Sequence, residues 1–175
     1  GVDTLEHGNW LDADGSAVSF DEPLAREMAV RGQFRNMATN PSRTLAELPR
    51  NAALDANLRR DLAEHHERWH WFRRGLELGV PSFYSTDAIV GQWDGESPDM
   101  AWLTILIAER SGLPVPLVLR MATAVPAAAL GLGQDLGMLA PGRVADILVV
   151  RGDPLTHPRA LRAVESVYRD GDRVA

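Results

Sequence analysis

The hydrophobic positions of the first forty residues change period twice. Residues 2–6 predict a short strand, residues 22–31 carry a helical pattern, and residues 33–39 are a weaker strand candidate. Asp21 or Ser19 can serve as the N-cap of the helix, because their side-chain oxygens accept hydrogen bonds from free N–H groups of the first turn. This part of the chain therefore predicts a strand, a helix and a second strand.

A long helical pattern and another apolar run follow. Apolar residues recur at spacings of three and four over residues 54–78, which predicts a helix that Gly79 ends. The apolar run 80–84 then predicts a third strand. Residues 89–97 predict a loop after that strand, placed to face a substrate.

The second half of the chain changes from helices to strands. The pattern of apolar residues and Gly/Pro breaks predicts two helices, an alanine-rich turn, and two strands with a tight hairpin turn after the second. The helices cover residues 98–111 and 115–123, and the alanine-rich turn covers 126–130. The strands cover 144–150 and 164–169, and Asp170-Gly171 forms the hairpin turn.

This order of elements predicts the fold class. Alternating strands and helices favour a parallel sheet covered by helices, so the chain is of the α/β class with a small β element at its end. Only about three parallel strands are predicted, which is too few to close a barrel. The sheet is therefore open or belongs to a larger structure. The start at Gly1, with no initiator methionine and no targeting segment, suggests a cut edge.

Composition narrows the function classes. The net charge is −6, so no basic stripe favours nucleic acid or an anionic membrane as a partner. Cysteine is absent and all 18 basic residues are arginine, which excludes disulfides, thiolate metal sites and lysine-based chemistry within these residues. The longest uncharged stretch, 121–134, is too short to span a bilayer. A cytoplasmic location is favoured, and secretion stays open.

Two residues at predicted strand ends carry candidate chemistry. His7 ends the first run, and Asp87 closes the run that begins at Val80. In α/β barrels the active site is built where the strands end, so an imidazole and a carboxylate there can form part of a metal site. Two ligands alone do not make such a site, and an aspartate after a strand is also a common turn residue or helix cap.

A second candidate lies in the long predicted helix. The segment His66-Glu67-Arg68-Trp69-His70 matches HExxH, in which two histidines one turn apart bind zinc and the glutamate activates water. The helical period places both histidines on the flank or the solvent side, and Arg73 occupies the position where the extended motif requires glycine. A solvated helix face explains the pattern equally, and a third ligand from Glu96 stays open.

An ordered series of motifs resembles a known family. The segment from Leu136 to Val150, LGMLAPGRVADILVV, resembles the L-G-x-L-x-P-G-x-x-A-D signature near the end of amidohydrolase superfamily proteins. The segment from Gly1 to Gly8, GVDTLEHG, resembles the end of the sixth barrel strand in relatives of imidazolonepropionase and metal-dependent dipeptidases. Ser85-Thr86-Asp87-Ala88 resembles the end of strand eight.

This resemblance implies a fold and an activity. It implies the last strands, about six to eight, of a (β/α)8 TIM-type barrel over residues 1–135, and closing strands of a small β-sandwich over residues 136–175. His7 would be a metal ligand, and Asp87 both a ligand and the catalytic base. The full-length enzyme would hydrolyse a C–N bond of a small amide-type substrate with one or two divalent metals, zinc by preference. A non-catalytic scaffold and an HExxH zinc peptidase are the alternatives, and homo-oligomerisation stays open.

Overall fold

The structure, a computed structural model, divides into two compact units. They comprise Gly1–Ser82 and Phe83–Ala175. The described residues are 1–8, 10, 19–38, 69–86 and 100–175.

The first sheet has three strands in the order β1, β2, β3. They are β1 (Thr4–Leu5), β2 (Phe34–Ala38) and β3 (Ser82–Ser85). Strands β1 and β2 are parallel, and their register pairs Leu5 with Arg35. The parallel arrangement predicted from strand–helix alternation is confirmed for this pair, although β1 is shorter than the predicted 2–6.

Helix α1 (Glu22–Arg31) has the predicted bounds because local signals fix both of its ends. The Asp21 side chain accepts a hydrogen bond from the Leu24 amide at 2.9 Å, which makes Asp21 the N-cap. Gly32 ends the helix in the left-handed conformation with φ 65°. Apolar residues around the buried face of α1 form the core of the first unit: Ala25, Met28 and Val80, with Trp10, Phe20, Ala29 and Leu78 packed against them.

The described part of the next helix, α2, covers residues 69–77. It ends as predicted at Gly79, where φ is 90° and the Val80 amide donates to the Gly75 carbonyl at 3.0 Å. Phe72 is buried on this helix. The predicted start near residue 54 lies outside the described residues.

Among the described residues of the second unit, three α-helices follow β3: α3 (Met100–Arg110), α4 (Val115–Ala122) and α5 (Ala124–Ala129). The alanine-rich segment predicted as a turn over 126–130 is a helix that begins two residues earlier, because Pro126 is tolerated in a first turn. Among the described residues, no helix is long and apolar enough to cross a membrane.

Tyr84 of β3 is a buried polar anchor of the second unit. Its hydroxyl lies 2.9 Å from Thr104 Oγ1 and 3.1 Å from the Val118 carbonyl oxygen. Burial raises the pKa of Tyr84 to about 12, and the contact with Thr104 opposes this only in part. The phenol thus joins helices α3 and α4 to the strand as a neutral hydrogen-bonding group.

The end of the chain forms a separate antiparallel sheet, as the predicted strands and hairpin turn indicate. Its strands are β4 (Ile147–Val150), β5 (Val164–Arg169) and β6 (Asp172–Arg173), with a 3-10 helix at Pro158–Arg162 between β4 and β5. Asp170 and Gly171 both have positive φ, 51° and 86°, which is the geometry of the predicted two-residue hairpin turn. Strand β4 begins three residues after the predicted Val144, because the Val144 amide donates instead to the Asp135 carbonyl at 3.0 Å.

The segment 136–150 has a structural role in this unit. At Gly137, φ is 85°, and a Cβ atom would lie 2.8 Å from both Ala124 Cα and the Thr123 carbonyl oxygen. Further along, the Asp146 carboxylate accepts a hydrogen bond from the Asp170 amide at 2.8 Å, which ties the segment to the hairpin. Its glycine and aspartate thus fix a close backbone crossing and a turn.

Candidate active site

His7 stands at the carboxyl end of β1. It lies two residues after Leu5, the last residue of the strand, in a turn where its φ is 52°, a conformation that few residues other than glycine adopt, and it is exposed. The sharp turn ends the strand, so the imidazole lies at the edge of the sheet where α/β proteins build their sites. His7 thus lies at the strand end that the sequence predicts, and its role as a metal ligand stays a prediction.

Asn36 of β2 holds the chain on both sides of His7. Its side-chain amide donates a hydrogen bond to the Glu6 carboxylate, and its backbone carbonyl accepts one from the Gly8 amide at 3.2 Å. Asn36 is only 4% exposed, whereas Glu6 is exposed, so their contact lies at the boundary between the interior and the surface. One residue of the neighbouring strand thereby fixes both residues adjoining the imidazole.

The sequence analysis did not predict the Glu6–Asn36 contact, although the position of Asn36 within a predicted strand pointed to one. Asn36 interrupts a predicted strand with a buried amide, and such groups are almost always hydrogen-bonded. Its partner follows only from the register, since Leu5 and Arg35 are neighbours and residues 6 and 36 come next on the opposite face of the sheet.

Asp87, the other candidate ligand and the predicted catalytic base, lies outside the described residues. Strand β3 ends at Ser85, two positions before it. The position of Asp87 relative to His7 therefore stays a prediction.

The HExxH candidate is described only in its last two residues, because His66 and Glu67 lie outside the described residues. His70 is exposed on α2, as the helical period predicts, and its ring packs edge-to-face on Trp71 with centroids 4.5 Å apart. An exposed imidazole on an aromatic ring is ordinary surface packing, and nothing in this contact favours zinc binding.

The metal implied by the resemblance fits the described residues in part. An exposed imidazole at a strand end suits a divalent metal, since neutral histidine is a common zinc ligand. Within residues 1–8, 10, 19–38, 69–86 and 100–175, however, no three histidine, aspartate or glutamate side chains come close enough together to hold an ion. The described part thus supplies His7 as a single candidate ligand.

Comparison with known proteins assigns the class of the chain. The sequence profile of the amidohydrolase family matches residues 3–174, nearly the whole length. The sheet with its helices is an α/β fold, and the chain belongs to the amidohydrolase family. No curated protein sequence matches it.

Solved structures agree with this assignment. A crystal structure of an amidohydrolase is 28% identical over 100% of this chain and 40% of its own, with a TM-score of 0.72. A prolidase complexed with N-methylphosphonate-L-proline is 24% identical over 99% and 40%, with a TM-score of 0.73. A Xaa-Pro dipeptidase with methionine bound in the active site is 23% identical over 99% and 40%, with a TM-score of 0.65. The chain thus spans about 40% of the length of these proteins.

Proposed function

We propose that the full-length protein containing this chain is a metal-dependent hydrolase that cleaves a C–N bond in an amide, a cyclic amide or imide, or a dipeptide. The observation that carries this proposal is the family match over residues 3–174. Two structures of similar fold are a prolidase and a Xaa-Pro dipeptidase, so dipeptides ending in proline are the first substrates to test.

In this proposal, β1, β2 and β3 are strands six, seven and eight of a (β/α)8 barrel within residues 1–135. Residues 136–175 then supply the closing strands of a small β-sandwich. The parallel β1–β2 pair and the separate antiparallel sheet support this division. His7 and Asp87 would both stand at carboxyl ends of barrel strands, the face on which such barrels carry their active sites.

His7 would bind the metal as a neutral imidazole. The hydrogen bonds of Asn36 to Glu6 and Gly8, the residues on either side of His7, would hold it in place. When bound, a divalent metal such as zinc lowers the pKa of a water ligand toward ~7 and polarises the scissile carbonyl. Asp87 would bind the metal and also accept the proton of the attacking water, and then deliver it to the leaving nitrogen.

The test uses the full-length protein with its own metal. Metal content per chain and hydrolysis of a panel of Xaa-Pro dipeptides, N-acyl amino acids and cyclic imides are measured for the wild type, His7→Ala and His157→Ala. We expect His7→Ala to lose bound metal and to lower kcat/KM by about a hundredfold or more. His157 is exposed and lies 150 residues after His7, outside the proposed site, so His157→Ala should behave as the wild type.

Two results would favour the alternatives. If His66→Ala abolishes metal binding and His7→Ala does not, the HExxH zinc peptidase replaces the present proposal. If the full-length protein is folded, binds no divalent metal and hydrolyses none of these amides, it is a non-catalytic scaffold of the same fold.

A further inference from the structure

Arg35 of β2 packs against Gly8, the residue that follows His7. A Cβ atom on residue 8 would lie 2.4 Å from Arg35 Cγ and 2.7 Å from Arg35 Cδ, closer than side chains approach one another. The aliphatic stem of Arg35 therefore occupies the space that a side chain at residue 8 would need. Glycine is the residue that allows this close approach.

The stem cannot easily move aside, because Arg35 is held at both of its ends. Its backbone amide donates a hydrogen bond to the Pro81 carbonyl at 2.9 Å. Its guanidinium carbon lies 4.5 Å from the centre of the Phe72 ring of α2, and the whole residue is 2% exposed. The atoms Cγ and Cδ lie between these two ends. A side chain at residue 8 would therefore displace the backbone around Gly8 rather than the arginine.

Gly8 is held by two successive residues of the same strand. The stem of Arg35 packs against it, and the Asn36 carbonyl accepts a hydrogen bond from its amide at 3.2 Å. His7 directly precedes Gly8 and has φ 52°, in the small left-handed region, so its backbone has little freedom to absorb a shift of Gly8. A displacement of Gly8 would therefore move the imidazole.

We propose that Arg35 is a positioning residue, and that the packing of its stem against Gly8 fixes where the His7 imidazole lies. The stem has this role and the charge does not, because Cγ and Cδ are the atoms that meet Gly8. The consequence for metal binding rests on the proposed function, in which His7 is a ligand. Loss of a residue that orients a ligand typically weakens metal binding about 10- to 100-fold.

The test observes the imidazole directly. The full-length protein is labelled with ¹³C at Cε1 of its histidines, and spectra are recorded with its own metal bound and again after chelation. The signal that His7→Ala removes is the signal of His7. We expect Gly8→Ala to shift this signal and to weaken metal binding about 10- to 100-fold, while the signal of the exposed His157 stays in place.

Gly75→Ala is the matched control, since it makes the same substitution at the other end of the same arginine. A Cβ atom there would lie 3.2 Å from Arg35 Nη1, so the flexible end of the side chain needs to yield by only a few tenths of an ångström. Gly75→Ala should therefore match the wild type in the His7 signal and in metal affinity.

Variants of Arg35 separate the stem from the charge. Arg35→Ala removes Cγ and Cδ, so it should shift the His7 signal by itself. In the double variant Gly8→Ala/Arg35→Ala the added Cβ has room, and the signal and most of the metal affinity should return. Arg35→Met keeps a chain atom at both positions and loses only the guanidinium, so it should leave the His7 signal in place. If Gly8→Ala does not fold, these two single variants of Arg35 decide the question.

Three results would overturn the proposal. They are an unchanged His7 signal in Gly8→Ala, a double variant that is no closer to the wild type than Gly8→Ala, and an Arg35→Met that shifts the signal as much as Arg35→Ala. A His7→Ala protein that keeps its metal would instead refute the proposed function. The spectra of the chelated protein would still decide the positioning of His7, because they need no metal.

Discussion

Replacing Arg35 of β2 with methionine should stabilise the protein, because Arg35 is 2% exposed and, among the described residues, its guanidinium has no hydrogen-bond partner. The fall of the Arg35 pKa from 12.5 to about 10 corresponds to a penalty of about 3 kcal/mol for holding the charged form in the fold, at 1.36 kcal/mol per pKa unit. The contact with Phe72 at 4.5 Å returns about 1–2 kcal/mol of that. Methionine has no charge to desolvate, and its sulfur also interacts favourably with an aromatic ring. We therefore expect Arg35→Met to raise the free energy of unfolding by about 1–3 kcal/mol.

The assay is urea unfolding of the full-length protein at pH 7. Arg31→Met is the matched control, and its exposed ion pair with Glu27 predicts a change below about 0.5 kcal/mol. Arg35→Lys keeps the charge but concentrates it on an ammonium that is harder to desolvate, so it should be less stable than the wild type. If Arg35→Met is destabilising by more than about 1 kcal/mol, the guanidinium is a net stabilising group and the reasoning fails.

Two further predictions concern the second unit. Because burial raises the Tyr84 pKa from 10 to about 12, the neutral phenol contributes stability that is complete below pH 10 and is lost as the pH rises to 12. Unfolding measured across this range should show the wild type losing about 2–3 kcal/mol relative to Tyr84→Phe, and parallel curves would contradict this. Gly137→Ala and Gly142→Ala share a positive φ, 85° and 82°, but only Gly137 meets backbone within 3 Å. Thermal unfolding should show a cost of about 1 kcal/mol at Gly142 and about 2–4 kcal/mol at Gly137, and equal costs would refute the steric argument.

The elements that the sequence predicted well are those with local signals. Helix α1 has the predicted bounds because a capping aspartate and a left-handed glycine act within a few residues of its ends. The hairpin at Asp170-Gly171 is equally local. Strand β4 was predicted to begin at Val144, but the Val144 amide donates to the Asp135 carbonyl instead. The apolar pattern gives no indication of this contact.

The sequence predicts the parts of the candidate site that depend on a single residue, and not those that depend on contacts between strands. His7 follows from its place at a strand end, whereas the role of Asn36 needs the β1–β2 register. Arg35 is the clearest miss, since arginine is almost never fully buried without a partner and the pattern gave no reason to place it inside. Its room is made by Gly8 and Gly75, which are distant in sequence and come together only in the fold.

The strongest sequence resemblance and the proposed chemistry lie in different parts of the chain. Gly137 allows a close backbone approach to Ala124, and Asp146 accepts the amide of the hairpin residue Asp170, so the signature segment is explained by turns and contacts. Such contacts are needed for folding whatever the substrate. In the proposed enzyme the residues around His7 would act on the chemistry instead, because Glu6 and Gly8 are held from β2 and set where the imidazole lies. A change of substrate within this fold should therefore come from strand ends and the loops after them, with the 136–150 segment left intact.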